Sequence, residues 1–509
     1  MTARKRLLVI GLDGATFDII KPNLHRLPTL RKLIEGGTHG TLRSTIPPVT
    51  IPAWPAMFTG KNPGKIGAFD FRYMEKDYAI KPHNLSTMNC TYVWDIMDRK
   101  GMKSAVINVP GTWPIRPLSG PMVSCMLTPP GRDFAHPKTL QKRIEKEIPG
   151  YSTALMEGGG KIESSYRTFE ANAKILGWFL PDLGRKLDAI FMVFRVPDVL
   201  SHARDAGEKD LVECYMRIDQ ELGRILSGSN TDIMVVSDHG YGLAKGSMLF
   251  INTWLERNGY LSFRKDHKPA ASKNILALRR IFMGRRRSKI ARILLSKTGR
   301  NVPFFSSPFD ASMVDMQKTM AFSYNTTTSP YCGIWLNVKG RYENGVVDKG
   351  DYQKLRNEIA GKLRSDGMIK AVYMREELYK GGGIEIPDMV AEANGLLSSG
   401  ISPALASAYK GCHAINGIFI AYGPGFRSGS EIKDARVWDI APTVLHMLGL
   451  PVPEDMDGRV LKDIFTPGSH PQKNKPRFTK PEVMARQKVE KESGDEERMK
   501  QRLKELGYI

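Results

Sequence analysis

Cysteine is scarce in this chain of 509 residues: Cys90, Cys125, Cys214, Cys332 and Cys412 lie far apart, are odd in number and form no C-x-x-C pair. That argues against a disulfide framework or a thiolate zinc site and points to a reducing, cytoplasmic compartment. No apolar run reaches the roughly 18 residues of a membrane span, and no internal repeat of fixed period is present. The start, Met1-Thr-Ala-Arg-Lys-Arg, is like the basic end of a signal peptide. The apolar run Leu7 to Leu12 is cut by Asp13 without a small-residue cleavage site, so it reads as a strand instead. Acidic residues are also in deficit, with 53 Asp+Glu against 75 Lys+Arg and a net charge of +22. With 41% of residues hydrophobic the chain is not wholly disordered, and its length allows a large core with an insertion.

Short apolar runs recur at Leu7 to Leu12, Ala105 to Val109, Ala189 to Val196, Ile233 to Val236 and Ile418 to Tyr422. Helical patterns such as Pro28 to Glu35 and Val93 to Lys100 separate them, which predicts an α/β fold with a mostly parallel sheet covered on both faces. Three runs lead into Asp13, Asp198 and Asp238. Ligand sites of open α/β sheets lie beyond the carboxyl ends of the strands, so these carboxylates are expected to converge on one rim. The text changes from about 244 to 400, which reads as an inserted α+β cap between a first core part, 1–243, and a second, 401–466. From 467 to 509 the chain reads as a charged tail with room for a terminal helix.

Only ten histidines occur, and three sit in informative places. Asp198 and His202 are four apart, so one helical turn presents both on one face. Asp238 and His239 follow an apolar strand, and His413 precedes another. Carboxylate with imidazole suits zinc, with manganese or iron less preferred. Each piece alone is usually a solvated helix face or a capping pair; the joint occurrence is what favours a metal site. Thr50, in Pro48-Val-Thr50-Ile-Pro52, stands at a predicted helix N-cap with Pro52 in the first turn. There it is either an ordinary cap or a nucleophile assisted by the helix dipole.

Taken together these residues resemble the type I phosphodiesterase/nucleotide pyrophosphatase group of the alkaline phosphatase superfamily. The similarity runs in order through Val9-Ile-Gly-Leu-Asp13-Gly, Pro48-Val-Thr50-Ile-Pro, Thr59-Gly-Lys-Asn-Pro-Gly, Pro197-Asp198 to His202, Ser237-Asp238-His239-Gly240 and Gly411-Cys-His413. Prokaryotic members are also similar to it in Val106-Ile-Asn-Val-Pro-Gly-Thr-Trp-Pro and in Arg375-Glu-Glu-Leu-Tyr. The resemblance implies an alkaline-phosphatase-like three-layer sandwich and two divalent cations, with zinc first. Asp198, His202 and His413 would hold one cation, and Asp13, Asp238, His239 and the Thr50 oxygen the other. It implies hydrolysis of a phosphorylated small molecule through phospho-Thr50. An asparagine that holds phosphate in the nucleotide-type enzymes is replaced here by Phe71, and the sulfatase motif is absent. A phosphomonoesterase, a phosphoglycerate-mutase-like phosphotransferase and a non-catalytic membrane-surface protein stay open as alternatives.

Between 264 and 300 thirteen Lys or Arg stand against one acid, Asp266, with Leu276, Ile281, Phe282, Ile290 and Ile293 interleaved. A basic amphipathic helix of this kind is a solvated face of the cap or binds an anionic membrane surface, which would make the protein peripheral to the membrane. Nucleic acid ranks last because no recognition motif accompanies the segment. The sequence leaves the oligomeric state open. If this charge gathers phosphorylated substrate at the site, kcat/KM at low substrate should fall steeply with added salt; a flat salt response would remove that steering role.

Overall fold

The Leu7–Leu12 strand is buried along its whole length because its alternate side chains enter two different cores. Leu7 and Val9 pack into one apolar cluster with Trp54, Phe58 and Phe191. Leu8, Ile10 and Leu12 pack into another with Leu30, Leu33 and Ile218. The same alternation divides Phe191 and Val193 from Ile190 and Met192 in the Ala189–Phe194 strand. A sheet buried on both faces, with helices above and below, is the three-layer arrangement that the apolar runs predict.

The computed structural model describes residues 7–157, 160–203, 207–227, 231–242, 248–264, 309–324, 329–398, 412–481, 484 and 494–506. The basic segment read over 264–300 lies outside these residues from 265 onward. Among the described residues no helix is long and apolar enough to cross a membrane.

The middle of the main sheet runs in the order Thr38–Arg43, Asn416–Tyr422, Asp232–Val236, Leu7–Leu12, Ala189–Phe194, Ser104–Ile107. The last four are mutually parallel. Asn416–Tyr422 runs antiparallel to both neighbours. Its direction fits the place of His413, which precedes its strand, whereas Asp13, Asp198 and Asp238 follow theirs. All four reach one rim only if that strand runs the other way.

Residues from the middle of the chain form a separate core around Tyr331, Ile334, Trp335, Ile359, Met389 and Val390. Its antiparallel sheet takes the order Ala321–Phe322, Tyr331–Leu336, Met389–Ala393, Ile369–Met374. Near its ends, Met248–Phe250 pairs in parallel with Leu396–Ser398. Phe69, Met74 and Tyr78, well before the predicted insertion, also enter this core.

The stretch read as a charged tail contains the helix Asp495–Leu506, with Met499, Leu503 and Leu506 buried in the main core. Lys161 Nζ donates to Leu506 O at 2.9 Å, fixing the end of that helix. The region is therefore docked structure over this helix, an amphipathic element in which Asp495 is buried and Arg502 turns inward to donate to Thr128 O.

The Thr50–Thr59 helix, which starts with the predicted nucleophile, is pinned to the sheet by aromatic rings. Trp54 stacks on Phe58 at 5.9 Å, and Phe58 meets Phe191 edge-on at 5.6 Å and Trp94 at 5.2 Å. Each such burial contributes about 1.5–3 kcal/mol. The helix ends at Gly60, whose φ of 70° is the left-handed cap conformation. Gly11 leaves room beneath Trp54: a Cβ there would meet Trp54 Cη2 at 2.3 Å and Val193 Cγ2 at 2.8 Å. Gly11→Ala should therefore lower the thermal midpoint, at a cost of roughly 1–3 kcal/mol from overpacking. An unchanged midpoint would mean that Trp54 yields freely and does not fix the helix.

Candidate active site

Each candidate side chain is delivered by the end of a strand. After Leu7–Leu12 the chain turns at Asp13-Gly14, where Gly14 has φ +69 and its missing Cβ would lie 3.1 Å from Asp198 Cβ. A larger residue would thus collide with the neighbouring ligand while also straining the turn. Gly14 N donates to Asp238 Oδ1 at 3.3 Å, joining two of the strand ends. After Ala189–Phe194 comes the short helix Val196–Ser201, which carries Asp198 and is closed by His202. After Asp232–Val236 come Asp238 and His239, and then Gly240–Gly242 pairs antiparallel with Cys412–Ala414, bringing His413 opposite Tyr241.

The predicted carboxylates and imidazoles meet at this rim. His202 Nε2 lies 3.3 Å from Asp198 Oδ1, His413 Nε2 lies 3.4 Å from the same oxygen, and the two Nε2 atoms are 2.7 Å apart. On the other side, His239 Nε2 lies 3.6 Å from Asp13 Oδ1 and 3.4 Å from Asp238 Oδ2. The rings of His239 and His413 stack at 3.8 Å, so the two groups adjoin. Asp13, Asp238 and His239 present ligand atoms within 4.8 Å of one another, and so do Asp198, His239 and His413. His239 thus stands between the two groups.

The donor atoms are prepared for a cation. His413 Nδ1 donates to Pro48 O at 2.8 Å, and His239 Nδ1 donates to Gly240 O at 3.0 Å. Each bond fixes the tautomer that leaves a lone pair on Nε2. Asp13 Oδ1 and Oδ2, Asp238 Oδ2, His239 Nε2 and Thr50 Oγ1 are buried and make no hydrogen bond among the described residues. Buried polar atoms of a folded protein nearly always have partners, and those of Asp13, Asp238 and His239 lie within 4.8 Å of one another, so their concentration there points to a ligand. The donor set, carboxylate oxygen with imidazole nitrogen, fits a divalent cation in each group.

The electrostatics agree. Burial pushes the Asp13 carboxyl well above the usual carboxylate range, and Asp238 and Asp198 add to the shift while Arg195 opposes it. Burial and then Asp198 raise Asp238 in the same way. Burial also raises Asp198, but His202 and His413 outweigh it and hold that carboxyl well below its ordinary value. Burial lowers His239, and it lowers His413 to about 3, with His239 adding to that shift. Three buried carboxyl groups adjoin here, and the raised values of Asp13 and Asp238 mark a site short of positive charge.

Thr50 is fully buried, one residue inside the element that begins after Val49, rather than at its N-cap. Ile51 is non-helical, with φ −107 and ψ 110, so the regular helix begins only after it. The Thr50 hydroxyl does not cap the helix, since its oxygen has no partner. Its segment is tied to the ligands through the bond from His413 to Pro48 O. Sequence reading did not single out Arg195, which is 5% exposed and lies beside the pocket of Asp198. Its place directly after the wholly apolar Ala189–Phe194 strand and two residues before Pro197-Asp198 is the one signal that marked it. Phe71 is fully buried in the main apolar core.

A family model described as type I phosphodiesterase / nucleotide pyrophosphatase matches residues 7–399. No curated protein sequence matches the chain. Among solved structures, murine ectonucleotide pyrophosphatase / phosphodiesterase 5 is similar with a TM-score of 0.54 and 16% identity, covering 91% of this chain and 100% of that one. The same values hold for an inactive threonine-to-alanine form of the murine protein in complex with AMP. The human protein of that name matches at 15% identity, with a TM-score of 0.54 and the same coverage of both chains. At such identities the likeness concerns the fold, the α/β sandwich with a mostly parallel sheet.

Asp13→Asn keeps the shape of the pocket and removes one of its three carboxylate charges. The metal-free variant should melt at or above the temperature of metal-free wild type. Zinc should bind it at least about tenfold more weakly, reducing stabilisation by saturating zinc by roughly 1.4 kcal/mol. An undiminished zinc response in a thermal-shift titration would exclude Asp13 as a ligand.

Proposed function

Since the chain belongs to the type I phosphodiesterase / nucleotide pyrophosphatase family, a family of phosphodiester hydrolases, we propose that it hydrolyses phosphate esters at a two-metal site through a phospho-threonine intermediate. Asp198, His202 and His413 would hold one cation, and Asp13, Asp238, His239 and Thr50 the other. Two divalent cations, zinc first and manganese or iron next, supply positive charge that offsets the carboxylates and polarises phosphate oxygens. The single observation behind this reading is the convergence of Asp13, Asp198, Asp238, His239 and His413, whose ligand atoms fall in two groups each within 4.8 Å; the unpartnered Thr50 hydroxyl, on the segment bonded to His413 through Pro48 O, supports Thr50 as the nucleophile.

Thr50 Oγ1 attacks phosphorus, forming the threonine–phosphate bond as the ester oxygen departs as the alcohol; the proton given up by Thr50 ends on that alcohol. Water then splits the threonine–phosphate bond, returning the hydroxyl and releasing the phosphate product. The bonds from His413 to Pro48 and from His239 to Gly240 hold both imidazoles in the ligating tautomer throughout. Arg195 offsets part of the negative charge at Asp13. Burial of all these groups excludes competing water and strengthens every charge interaction around the attacking oxygen.

The AMP bound by the similar murine protein makes nucleotide phosphodiesters the first substrates to try. Phe71 favours adding a monoester to the panel: a fully buried phenyl ring offers no hydrogen bond to a phosphate oxygen. Parallel assays on bis(4-nitrophenyl) phosphate and 4-nitrophenyl phosphate, with metal analysis, test the proposal. Hydrolysis is expected to need a bound divalent cation and to fall roughly 10³-fold or more in Thr50→Ala with metal content retained. Metal-free, inactive protein after zinc or manganese reconstitution would favour a silent surface-binding protein, and full activity in Thr50→Ala would exclude the phospho-threonine path.

A further inference from the structure

The segment that precedes Thr50 is held by hydrogen bonds from three different parts of the molecule. Thr45 Oγ1 and Val49 N both donate to Pro47 O, at 2.7 and 3.0 Å. His413 Nδ1 donates to Pro48 O. The third comes from the cap: Tyr379 donates its hydroxyl to Ile46 O at 2.6 Å, across 333 positions of sequence. Tyr379 is the last residue of Arg375-Glu-Glu-Leu-Tyr, a motif that neither the metal ligands nor the nucleophile account for.

The strap around Tyr379 is built against the core. Tyr379 is 5% exposed, and its ring meets Phe69 edge-on at 6.3 Å. Lys380 N donates to Asn62 Oδ1 at 3.2 Å, just beyond the Thr50–Thr59 helix. Gly64 lets the strap approach, since a Cβ there would lie 2.8 Å from Lys380 O and 2.9 Å from Tyr379 Cβ. Arg375 braces the far side through Gly382 O at 2.5 Å and Gly383 O at 2.9 Å. One short strap thus grips the chain on both sides of the nucleophile's helix, at Ile46 and at Asn62. Burial keeps the Tyr379 phenol well above its ordinary pKa despite Arg375, so it remains a donor over the working pH range.

We propose that Tyr379 is a positioning residue for Thr50: its hydrogen bond to Ile46 fixes the nucleophile segment against His413, so that the cap completes the reactive geometry from outside the metal cluster. The proposal rests on the phosphoesterase reading for its kinetic consequence, but its structural consequence is independent of that reading. A displacement of the attacking atom by about 1 Å can cost up to about a hundredfold in rate. The loss should therefore fall on kcat rather than on KM.

Tyr379→Phe removes the hydroxyl alone. Tyr260→Phe is the control, because Tyr260 is equally buried in the cap and donates to Glu358 Oε1 at 2.7 Å, far in sequence from the nucleophile segment. The expected result for Tyr379→Phe is a ten- to hundredfold fall in kcat on bis(4-nitrophenyl) phosphate with KM within about twofold, metal content unchanged, and faster amide hydrogen exchange confined to peptides spanning Arg43 to Trp54. That exchange change should be present in metal-free protein too, and Tyr260→Phe should show neither effect. Unchanged kcat with unchanged exchange at Arg43 to Trp54 would overturn the proposal. So would a loss in Tyr379→Phe accompanied by faster exchange throughout the cap and matched by Tyr260→Phe, which marks a merely structural tie. If wild type hydrolyses nothing, the phosphoesterase reading fails by itself, and the exchange comparison still decides whether Tyr379 fixes the segment.

Discussion

The mutual repulsion of Asp13, Asp198 and Asp238 is the constraint around which this rim is built. An uncompensated buried charge costs several kcal/mol, and two more beside it make ionisation harder still. Parallel strands hold the three carboxylates together because the backbone ladder leaves their side chains nowhere else to go. Gly14, next to Asp13, then packs closely on Asp198, whose Cβ lies 3.1 Å from where a Gly14 Cβ would be. Evolution of a merely stable sheet would have removed such a cluster, since replacing buried charges by apolar groups is often neutral or stabilising. The arrangement makes sense when a divalent cation turns repulsion into attraction, which is why the metal-dependent reading follows more directly from the carboxylates than from the histidines.

The hydroxyl of Thr50 poses a second, smaller problem. A buried hydroxyl without a partner is unfavourable by about 1–3 kcal/mol, yet here it is neither capping its helix nor bonded to a neighbour. Its position is set by other forces: aromatic packing of Trp54 and Phe58 below, and hydrogen bonds to the carbonyls of Ile46, Pro47 and Pro48 above. Because these bonds act on the backbone, the side chain stays free to react while its surroundings are rigid. That separation of holding from reacting is the usual condition for electrostatic preorganisation.

Much of this was legible in the sequence. The five apolar runs locate strands to within two residues because strands buried on both faces read as continuous apolar text. Asp13, Asp198 and Asp238 could be placed at one rim for the same reason. Thr38–Arg43 escaped notice because its buried positions are filled by Thr, Gly and Leu and its other face is partly open. A terminal helix in the charged tail was anticipated, but its docking into the core was not, because the few apolar residues of Asp495–Leu506 are spaced among Lys, Arg and Glu. Thr50 was expected to act from an N-cap, but Pro52 and the extended Ile51 delay the regular helix by a turn start. Arg195 and Tyr379 were hard to read in a different way: Arg195 follows an apolar strand and Tyr379 ends Arg375-Glu-Glu-Leu-Tyr, but one acts through a field and the other through a backbone carbonyl far along the chain, so neither pattern announces its role.

The position of the insertion bears on how such a site accepts new chemistry. The cap departs from the chain after His239 and returns before His413, so it is grafted between two ligand-bearing strands. Left open, that junction would pass every movement of the cap to the imidazoles. The antiparallel pair of Gly240–Gly242 with Cys412–Ala414 closes the base of the insertion, placing Tyr241 against His413 on the core side. Met248–Phe250 and Leu396–Ser398 form a second clasp on the cap side. The middle part has its own apolar core, which Phe69, Met74 and Tyr78 from the first part of the chain also enter. Among the described residues, the Tyr379 strap carries hydrogen bonds across this boundary to the segment before Thr50 and to Asn62. On the proposed reading, such a strap would act on the attacking residue through its backbone rather than through the metal-binding groups.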